Sequence, residues 1–174
     1  MPDRRKVNLE LLFHQMMYKL PGIYLAGKID EDNLQESYLW RKKVGMQLAR
    51  LGFEPIDPLR NVVIDARYGE ELSLMAGIDN EYIFQRDLQD IERSIFVLVN
   101  LSMFPDGVGT YCEIGYAYAK GISVIGWNPK ARKEKISHMF IENMLHQFED
   151  LDMIYRYLAT YKNKMKEEYF RKNI

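Results

Sequence analysis

Ser94-Ile95-Phe96-Val97-Leu98-Val99 is the run of residues that decides the fold, because it is the most strand-like stretch in the chain. Its unbroken apolarity predicts a strand that is covered on both faces, as the strands of parallel sheets are. Three shorter apolar runs also predict strands, at residues 23–27, 53–56 and 122–127. Helical spacing of apolar residues predicts helices between these runs, at about 32–51, 77–93 and 111–120.

The two ends of the chain add helices to this pattern. Residues 1–20 predict a short amphipathic helix and not a signal peptide, because Glu10, His14 and Lys19 interrupt the apolar residues. Beyond the fourth strand, helices are predicted at about 137–147 and 151–171, with a short strand at Phe148. Alternating strands and helices predict an α/β protein: a doubly wound, flavodoxin-like parallel sheet of four to five strands with helices on both faces. Residues 1–174 are expected to form a single domain that ends in a C-terminal helix within residues 151–174.

Composition limits the class of protein and its partners. A hydrophobic fraction of 47% is that of a packed globular protein, and a formal net charge of −1 provides no field that would attract a nucleic acid polymer or an anionic membrane. One cysteine, Cys112, excludes an intramolecular disulfide, and with three histidines it offers no zinc-ligand spacing. No run approaches the ~18 apolar residues of a membrane span. A cytoplasmic protein without a structural metal is expected.

The segment Pro105-Asp106-Gly107-Val108-Gly109-Thr110-Tyr111-Cys112-Glu113 holds the sharpest chemical signal. It follows the strand predicted at residues 94–99, and the ligand crevice of an open parallel sheet lies beyond the carboxyl ends of the strands. Neither GxGxxG nor GxxxxGK[ST] is present, so no nucleotide cofactor is expected. Thr110 and Glu113 predict a capping box, and a carboxylate in the first turn of a helix is held ionised by the partial positive charge there. Glu113 therefore suits a nucleophile, although the capping box alone would also explain its position.

Asp87 is the second carboxylate of interest, near the middle of the helix predicted at about 77–93. One interpretation places it on a solvated helix face with Asp90 and Glu92; the other pairs it with Glu113. A close pair of carboxylates can cleave a glycosidic bond with retention, since one attacks the anomeric carbon and the other protonates the leaving group. Such a pair needs two pKa values that burial and mutual repulsion push apart.

Three segments occur in a recognisable order: Ile23-Tyr24-Leu25-Ala26-Gly27, then Asp87, then Asp106-Gly107-Val108-Gly109-Thr110 leading to Glu113-Ile114-Gly115-Tyr116-Ala117. In that order and spacing, over about residues 22–141, they resemble the nucleoside 2-deoxyribosyltransferase family. The resemblance implies a doubly wound fold of five parallel strands, assembly as homodimers or larger homo-oligomers, and no cofactor. It implies a small-molecule deoxynucleoside and a free nucleobase as partners. Related members hydrolyse deoxynucleoside 5′-monophosphates instead of transferring the sugar.

The resemblance also implies roles for individual residues. By position, Glu113 matches the nucleophile that forms a covalent deoxyribosyl intermediate, and Asp87 matches the acid that protonates the departing base. Tyr24 matches the tyrosine that orients the nucleophile, although a strand tyrosine could equally pack in the core. Ser137 matches a position that reaches the 5′ end of the substrate, often from a neighbouring subunit, or is a helix N-cap. The implied substrate-binding positions are Gly27, Asp30, Asp106, Gly107, Gly109, Thr110 and Ser137.

The chain departs from the family at the 5′ end of the substrate. Many transferases place Asp six residues before the nucleophile to hold the 5′-hydroxyl, but that position here is Gly107, with Asp106 one residue further away. The phosphate-reading relatives carry Arg just after the first strand, and this chain has Asp30 near that position. Because Asp30 and Asp106 would repel a phosphate dianion, a 5′-hydroxyl substrate is favoured.

Three functions stay open on the sequence alone. The leading one is exchange of the base of a 2′-deoxynucleoside by double displacement at Glu113, in which a second base intercepts the glycosyl enzyme. If water intercepts it, the same site is an N-glycoside hydrolase of deoxynucleosides or their 5′-monophosphates. A binding module that senses a nucleotide without turnover is the alternative from another class.

Overall fold

The computed structural model describes residues 20–29, 34–60, 80–102, 107–129 and 143–173. Within these ranges the strands are β1 (Gly22–Gly27), β2 (Glu54–Ile56), β3 (Ser94–Asn100), β4 (Ser123–Trp127) and β5 (His146–Phe148). The helices are α1 (Leu34–Arg50), α2 (Asn80–Glu92), α3 (Val108–Ala119) and α4 (Leu151–Asn173).

The strands form one parallel sheet in the order β2-β1-β3-β4-β5. β1 and β3 are neighbours, and Gly27 lies opposite Asn100 at their carboxyl ends. The chain continues from β1 to β2 on one side and from β3 to β4 on the other, so the strand order reverses between β1 and β3. In an open α/β sheet such a reversal opens the crevice in which ligands bind. The predicted flavodoxin-like α/β fold is confirmed.

Alternation of side chains along β1 divides the core into two layers. The layer between the sheet and the helices α1 and α4 contains Ile23, Leu25, Val44, Leu48, Ile154 and Leu158. The layer on the opposite face, beneath α2 and α3, contains Tyr24, Ala26, Ile91, Ile114 and Ala117. Tyr24 therefore lies on the face of the sheet that is covered by the helices of Asp87 and Glu113.

The predicted elements agree with the structure in type and order, with one error. A helix predicted at 137–147 is wrong at its end, because His146–Phe148 pair with β4 in parallel register. This pairing satisfies backbone groups at the edge of the sheet, and it confirms the short strand predicted at Phe148. The predicted helix of residues 1–20, except for its last residue, lies outside the described residues. In the ranges that are described, no helix is both long enough and apolar enough to cross a lipid bilayer.

Candidate active site

A hydrogen bond joins β1 to α3 beneath the carboxyl end of the sheet. The Tyr24 hydroxyl donates to Glu113 Oε1 over 2.7 Å. Tyr24 is fully buried, whereas Glu113 keeps partial exposure. The structure thus brings together two of the three residues for which catalytic roles are predicted. Core packing and hydrogen bonding are not alternatives for Tyr24, because its ring is in the core and its hydroxyl contacts the carboxylate.

The capping box predicted at Thr110 and Glu113 is wrong. Helix α3 begins at Val108, with Gly107 as its N-cap. The Gly107 carbonyl accepts the first helical hydrogen bond from the Tyr111 amide at 3.2 Å, so Thr110 lies within the first turn and Glu113 in the second. Glycine is an accepted N-cap residue, and here it replaces a polar side-chain cap. Because the helix-terminal charge falls off within one turn, it cannot be the main influence on the ionisation of Glu113.

Burial is the main influence on the ionisation of Glu113. Desolvation raises the pKa of Glu113 to about 7, and the carboxylate of Asp87 acts in the same direction. The hydrogen bond from Tyr24 and the charge of Arg41 oppose this rise. Burial also raises the pKa of Tyr24, so its hydroxyl stays protonated and acts as the donor. Near neutral pH, Glu113 is therefore divided between its acid and carboxylate forms.

A second tyrosine–glutamate pair on the surface shows what the same hydrogen bond does without burial. The Tyr116 hydroxyl donates to Glu92 Oε1 over 2.6 Å, and Lys120 Nζ lies 2.6 Å from the same oxygen. The hydrogen bonds from Lys120 and Tyr116 lower the pKa of Glu92. The opposite direction for Glu113 thus follows from its desolvation and its neighbouring carboxylate.

Asp87 lies on α2, which packs against α3. Its side chain is 19% exposed, and Oδ1 accepts hydrogen bonds from Arg86 Nε at 3.1 Å and Nη2 at 2.9 Å. Arg86 Nη2 also donates to the Pro58 carbonyl at 2.8 Å, which ties this pair to the residues after β2. Burial raises the pKa of Asp87, while the hydrogen bonds and charge of Arg86 oppose the rise.

The interpretation that Asp87, Asp90 and Glu92 lie on a solvated helix face is wrong for two of these three carboxylates. Asp87 is mostly buried, and the Asp90 side chain is 6% exposed between Arg60 and Arg93. Glu92 alone matches that interpretation, because it is exposed. Asp87 instead lies within electrostatic range of Glu113 and raises the pKa of that residue.

Gly27, the last residue of β1, lies close to α1 and to the end of β3. A Cβ there would be 3.0 Å from Trp40 Cζ2 and 3.3 Å from Asn100 Cβ, and φ is +155°. Both the space and the backbone conformation therefore favour glycine. The carboxyl end of β1 cannot take a larger residue without moving its neighbours.

Gly107 lies close to the residues that follow β1. A Cβ on Gly107 would be 3.0 Å from Thr110 Oγ1 and 3.6 Å from Lys28 Cβ. Thr110 is buried, and Gly109 has open space at its Cβ position. These three predicted binding residues thus begin α3 beside the end of β1. The other predicted positions, Asp30, Asp106 and Ser137, lie outside the described residues.

Sequence reasoning missed Arg41, whose side chain is fully buried. Its Nη1 donates to the Ser37 carbonyl and its Nη2 to the Gly27 carbonyl, each at 2.7 Å. A signal was present, because Arg41 has helical spacing with Val44 and Leu48 and so falls in the buried stripe of α1. A charged residue in an apolar stripe needs a buried partner, and it marks a polar site.

Asp57, the first residue after β2, was also missed as a site residue. Its Oδ1 accepts a hydrogen bond from the Leu59 amide at 2.8 Å and lies 3.7 Å from Arg41 Nε. Burial raises the pKa of Asp57, whereas its backbone hydrogen bond and Arg41 lower it. Asp57 thus places a carboxylate beside the buried guanidinium of Arg41.

The site provides two carboxylates in different settings: the Tyr24 phenol holds Glu113, and the Arg86 guanidinium holds Asp87. Such a pair can attack an sp³ carbon with one member and transfer a proton with the other. Across the described residues, no group of three or more His, Cys, Asp or Glu side chains is arranged to hold a metal ion.

Comparison with known proteins identifies one family and several structural relatives. The model of the family described as nucleoside 2-deoxyribosyltransferase matches residues 23–165. No curated protein matched the sequence.

The solved structures that share the fold include two deoxyribosyltransferases and an N-glycosidase. A 2-deoxyribosyltransferase from Bacillus psychrosaccharolyticus is 24% identical, with 77% of this chain and 90% of that chain covered and a TM-score of 0.58. A 2-desoxiribosyltransferase from Leishmania mexicana is 19% identical, with 80% and 97% covered and a TM-score of 0.56. A CMP N-glycosidase from Clostridium botulinum is 17% identical, with 80% and 98% covered and a TM-score of 0.52.

Proposed function

Since the chain belongs to the nucleoside 2-deoxyribosyltransferase family, we propose that it exchanges the base of 2′-deoxynucleosides through a covalent deoxyribosyl intermediate on Glu113. The observation that carries this proposal is the hydrogen bond from the buried Tyr24 to Glu113 Oε1. It fixes one carboxylate oxygen, so attack on the sugar falls to Oε2. A fixed nucleophile requires less ordering when the substrate binds.

In the first half-reaction, Glu113 Oε2 attacks C1′ of the deoxynucleoside. The C1′–N bond breaks, its electron pair passes to the base nitrogen, and Asp87 supplies the proton that makes the leaving base neutral. The reactive form therefore has Glu113 ionised and Asp87 protonated. The carboxylate of Asp87 raises the pKa of Glu113, so protonation of Asp87 removes that effect and favours the carboxylate form of Glu113.

In the second half-reaction, a nitrogen of the incoming base attacks C1′ and expels the Glu113 carboxylate. Asp87, now ionised, accepts the proton that the incoming base loses, which restores the starting state. If water attacks instead, Asp87 takes the proton of water and the product is 2-deoxyribose. Transfer and hydrolysis thus share the glycosyl enzyme and differ in the second nucleophile.

The remaining parts of the proposal rest on the sequence and the family. We propose a 5′-hydroxyl substrate, because Asp30 and Asp106 would repel a phosphate. We also propose a cytoplasmic, single-domain protein that forms homodimers or larger homo-oligomers and uses no cofactor. Deoxyinosine should accordingly be a better substrate than its 5′-monophosphate.

The test is incubation of deoxyinosine with adenine, followed by separation of the products. Deoxyadenosine together with hypoxanthine is the expected result. Formation of hypoxanthine and free deoxyribose without deoxyadenosine would show that the same site hydrolyses the nucleoside and does not transfer its sugar. Nucleoside binding without any product would instead support the binding module and overturn the proposal.

The variant Glu113→Gln should lose base exchange by about 10³-fold or more, because an amide is a poor nucleophile. Glu92→Gln is the matched control, since Glu92 also accepts a tyrosine hydroxyl but lies on the surface. Acid quenching of the wild-type reaction should trap one deoxyribosyl group on the peptide that contains Glu113. Exchange at a wild-type rate in Glu113→Gln would exclude Glu113 as the nucleophile.

A further inference from the structure

Arg41 is a buried cation whose contacts reach from the middle of α1 to the carboxyl end of the sheet. The side chain has no exposed surface, and its guanidinium carbon lies 4.6 Å from the centre of the Trp40 ring. Its two hydrogen bonds join the last residue of β1, through the Gly27 carbonyl, to Ser37 of the same helix. Arg41 thus holds the strand end that leads into the crevice.

Neutralisation of this cation is incomplete. Both hydrogen-bond acceptors are uncharged carbonyls, and the Asp57 carboxylate is 3.7 Å from Nε, beyond hydrogen-bond distance. Among the described residues, Nε finds no hydrogen-bond partner. A buried guanidinium with such partners is costly, and apolar residues often replace buried ion pairs without loss of stability. Stability alone therefore gives a weak reason for an arginine at this position.

The charge of Arg41 acts on the candidate catalytic residues. Among the described residues, Arg41 interacts electrostatically with four titratable groups from four parts of the fold: Asp57 after β2, Glu113 from α3, Tyr24 from β1 and Asp87 from α2. The guanidinium lowers the pKa of both Glu113 and Tyr24, against the effect of burial. It therefore favours the carboxylate form of Glu113 without touching it.

We propose that Arg41 is a positioning residue of this site: it holds the end of β1 through the Gly27 carbonyl and supplies the buried positive charge behind the Tyr24–Glu113 pair. The role assigned to Glu113 rests on the proposed function. The effect of Arg41 on the ionisation of Glu113 does not, because it can be measured without a substrate.

The first test compares Arg41→Met with Arg41→Lys in the pH profile of kcat/KM for deoxyinosine. The acid limb of this profile reports the ionisation of Glu113 in the free enzyme. In Arg41→Met it should move to higher pH by at least about half a unit, so that activity falls about threefold more at pH 6 than at pH 8. Arg41→Lys should keep the acid limb within about 0.3 pH units and lose rate at every pH, because lysine keeps the charge but not the planar fork.

Arg50→Met is the control, since Arg50 is an exposed residue at the end of the same helix. It should change neither the rate nor the profile. Equal loss of activity at every pH in Arg41→Met, with an unmoved acid limb, would reduce Arg41 to a structural residue and overturn the proposal.

The second test measures the titration of Glu113 directly, by infrared difference spectra of each protein against its Glu113→Gln counterpart. The Glu113 carboxyl should titrate at higher pH in Arg41→Met than in wild type, whether or not the protein transfers deoxyribose. If the wild-type protein does not exchange bases, the proposed function is refuted. If Glu113 titrates at the same pH in Arg41→Met as in wild type, the proposed role of Arg41 is refuted. If Arg41→Met does not fold, Arg41→Gln replaces it, since glutamine can still donate to Gly27. Failure of both neutral variants to fold would make Arg41 structural and refute the proposal.

Discussion

At the scale of single residues, the pairs Tyr24–Glu113 and Tyr116–Glu92 separate the effect of a hydrogen bond from the effect of burial. In both pairs the phenol lowers the pKa of its carboxylate. Only at Glu113 does desolvation outweigh this, because Glu92 also has Lys120 and is exposed. The same two residue types thus give a surface contact in one place and a candidate nucleophile in the other.

Replacement of Tyr24 by Phe should lower kcat for base exchange about 10- to 100-fold at pH 7. A hydrogen bond to a charged group is worth about 1.5–3 kcal/mol, and each 1.4 kcal/mol is a factor of ten in rate. The acid limb of the pH profile should also move up, since the lost hydrogen bond favoured the carboxylate of Glu113. Steady-state kinetics with deoxyinosine measures both effects.

Tyr116→Phe provides the comparison for this variant, because it removes a hydrogen bond of 2.6 Å from the same helix that carries Glu113. Its kinetics should stay within about twofold of wild type, as befits an exposed contact. Wild-type kcat in Tyr24→Phe would mean that the hydroxyl does not orient Glu113.

At the scale of elements, the sequence predicts the strands well and the ends of helices less well. Continuous apolar runs such as Phe96–Val99 have few alternatives to a buried strand. The start of α3 is a different problem, because a local capping signal at Thr110 competes with a glycine N-cap three residues earlier. Arg41 shows the same limit: its spacing marks the buried stripe, but its partners Gly27 and Asp57 come from other elements.

The end of β1 gives an element-scale prediction. Gly27→Ala should destabilise the protein by roughly 1–3 kcal/mol, because its Cβ would crowd Trp40 and Asn100 and because φ is positive. It should also lower base exchange, since the Gly27 carbonyl anchors Arg41. Urea unfolding and the exchange assay measure the two effects.

Gly115→Ala is the matched control, for its Cβ would meet nothing within 4 Å and it lies inside α3. It should stabilise the protein by up to about 1 kcal/mol, as alanine does in a helix. The two substitutions add the same methyl group and are expected to act with opposite signs. Equal effects would show that the end of β1 tolerates a side chain.

At the scale of the whole molecule, the topology could be predicted because few arrangements satisfy the rules for parallel sheets. The same rules place the site at the carboxyl ends of β1 and β3, where the strand order reverses. They do not pair Tyr24 with Glu113, which is 89 residues away, so only the family resemblance indicated this contact. The single-domain organisation and the subunit number stay predictions.

Burial of Glu113 should make the stability of the whole protein depend on pH. Between its ordinary pKa of 4.5 and the native value of about 7, the folded protein keeps a proton that the unfolded chain has released. The free energy of unfolding therefore falls as pH rises through this window, by about 3 kcal/mol for Glu113 alone. The raised pKa values of Asp57 and Asp87 act with the same sign.

Glu113→Gln removes this ionisation while its amide oxygen can still accept the Tyr24 hydroxyl. Relative to wild type, its free energy of unfolding should rise by about 2–3 kcal/mol between pH 5 and pH 8, as measured by urea denaturation at both values. Glu92→Gln should show no such gain, because the lowered pKa of Glu92 keeps it ionised across this range. If Glu113→Gln is inactive but more stable than wild type at pH 8, the Glu113 carboxylate lowers the stability of the folded protein. Such a cost is expected of a residue that is kept for catalysis. A constant difference between the two proteins from pH 5 to pH 8 would instead show that Glu113 ionises freely in the folded state.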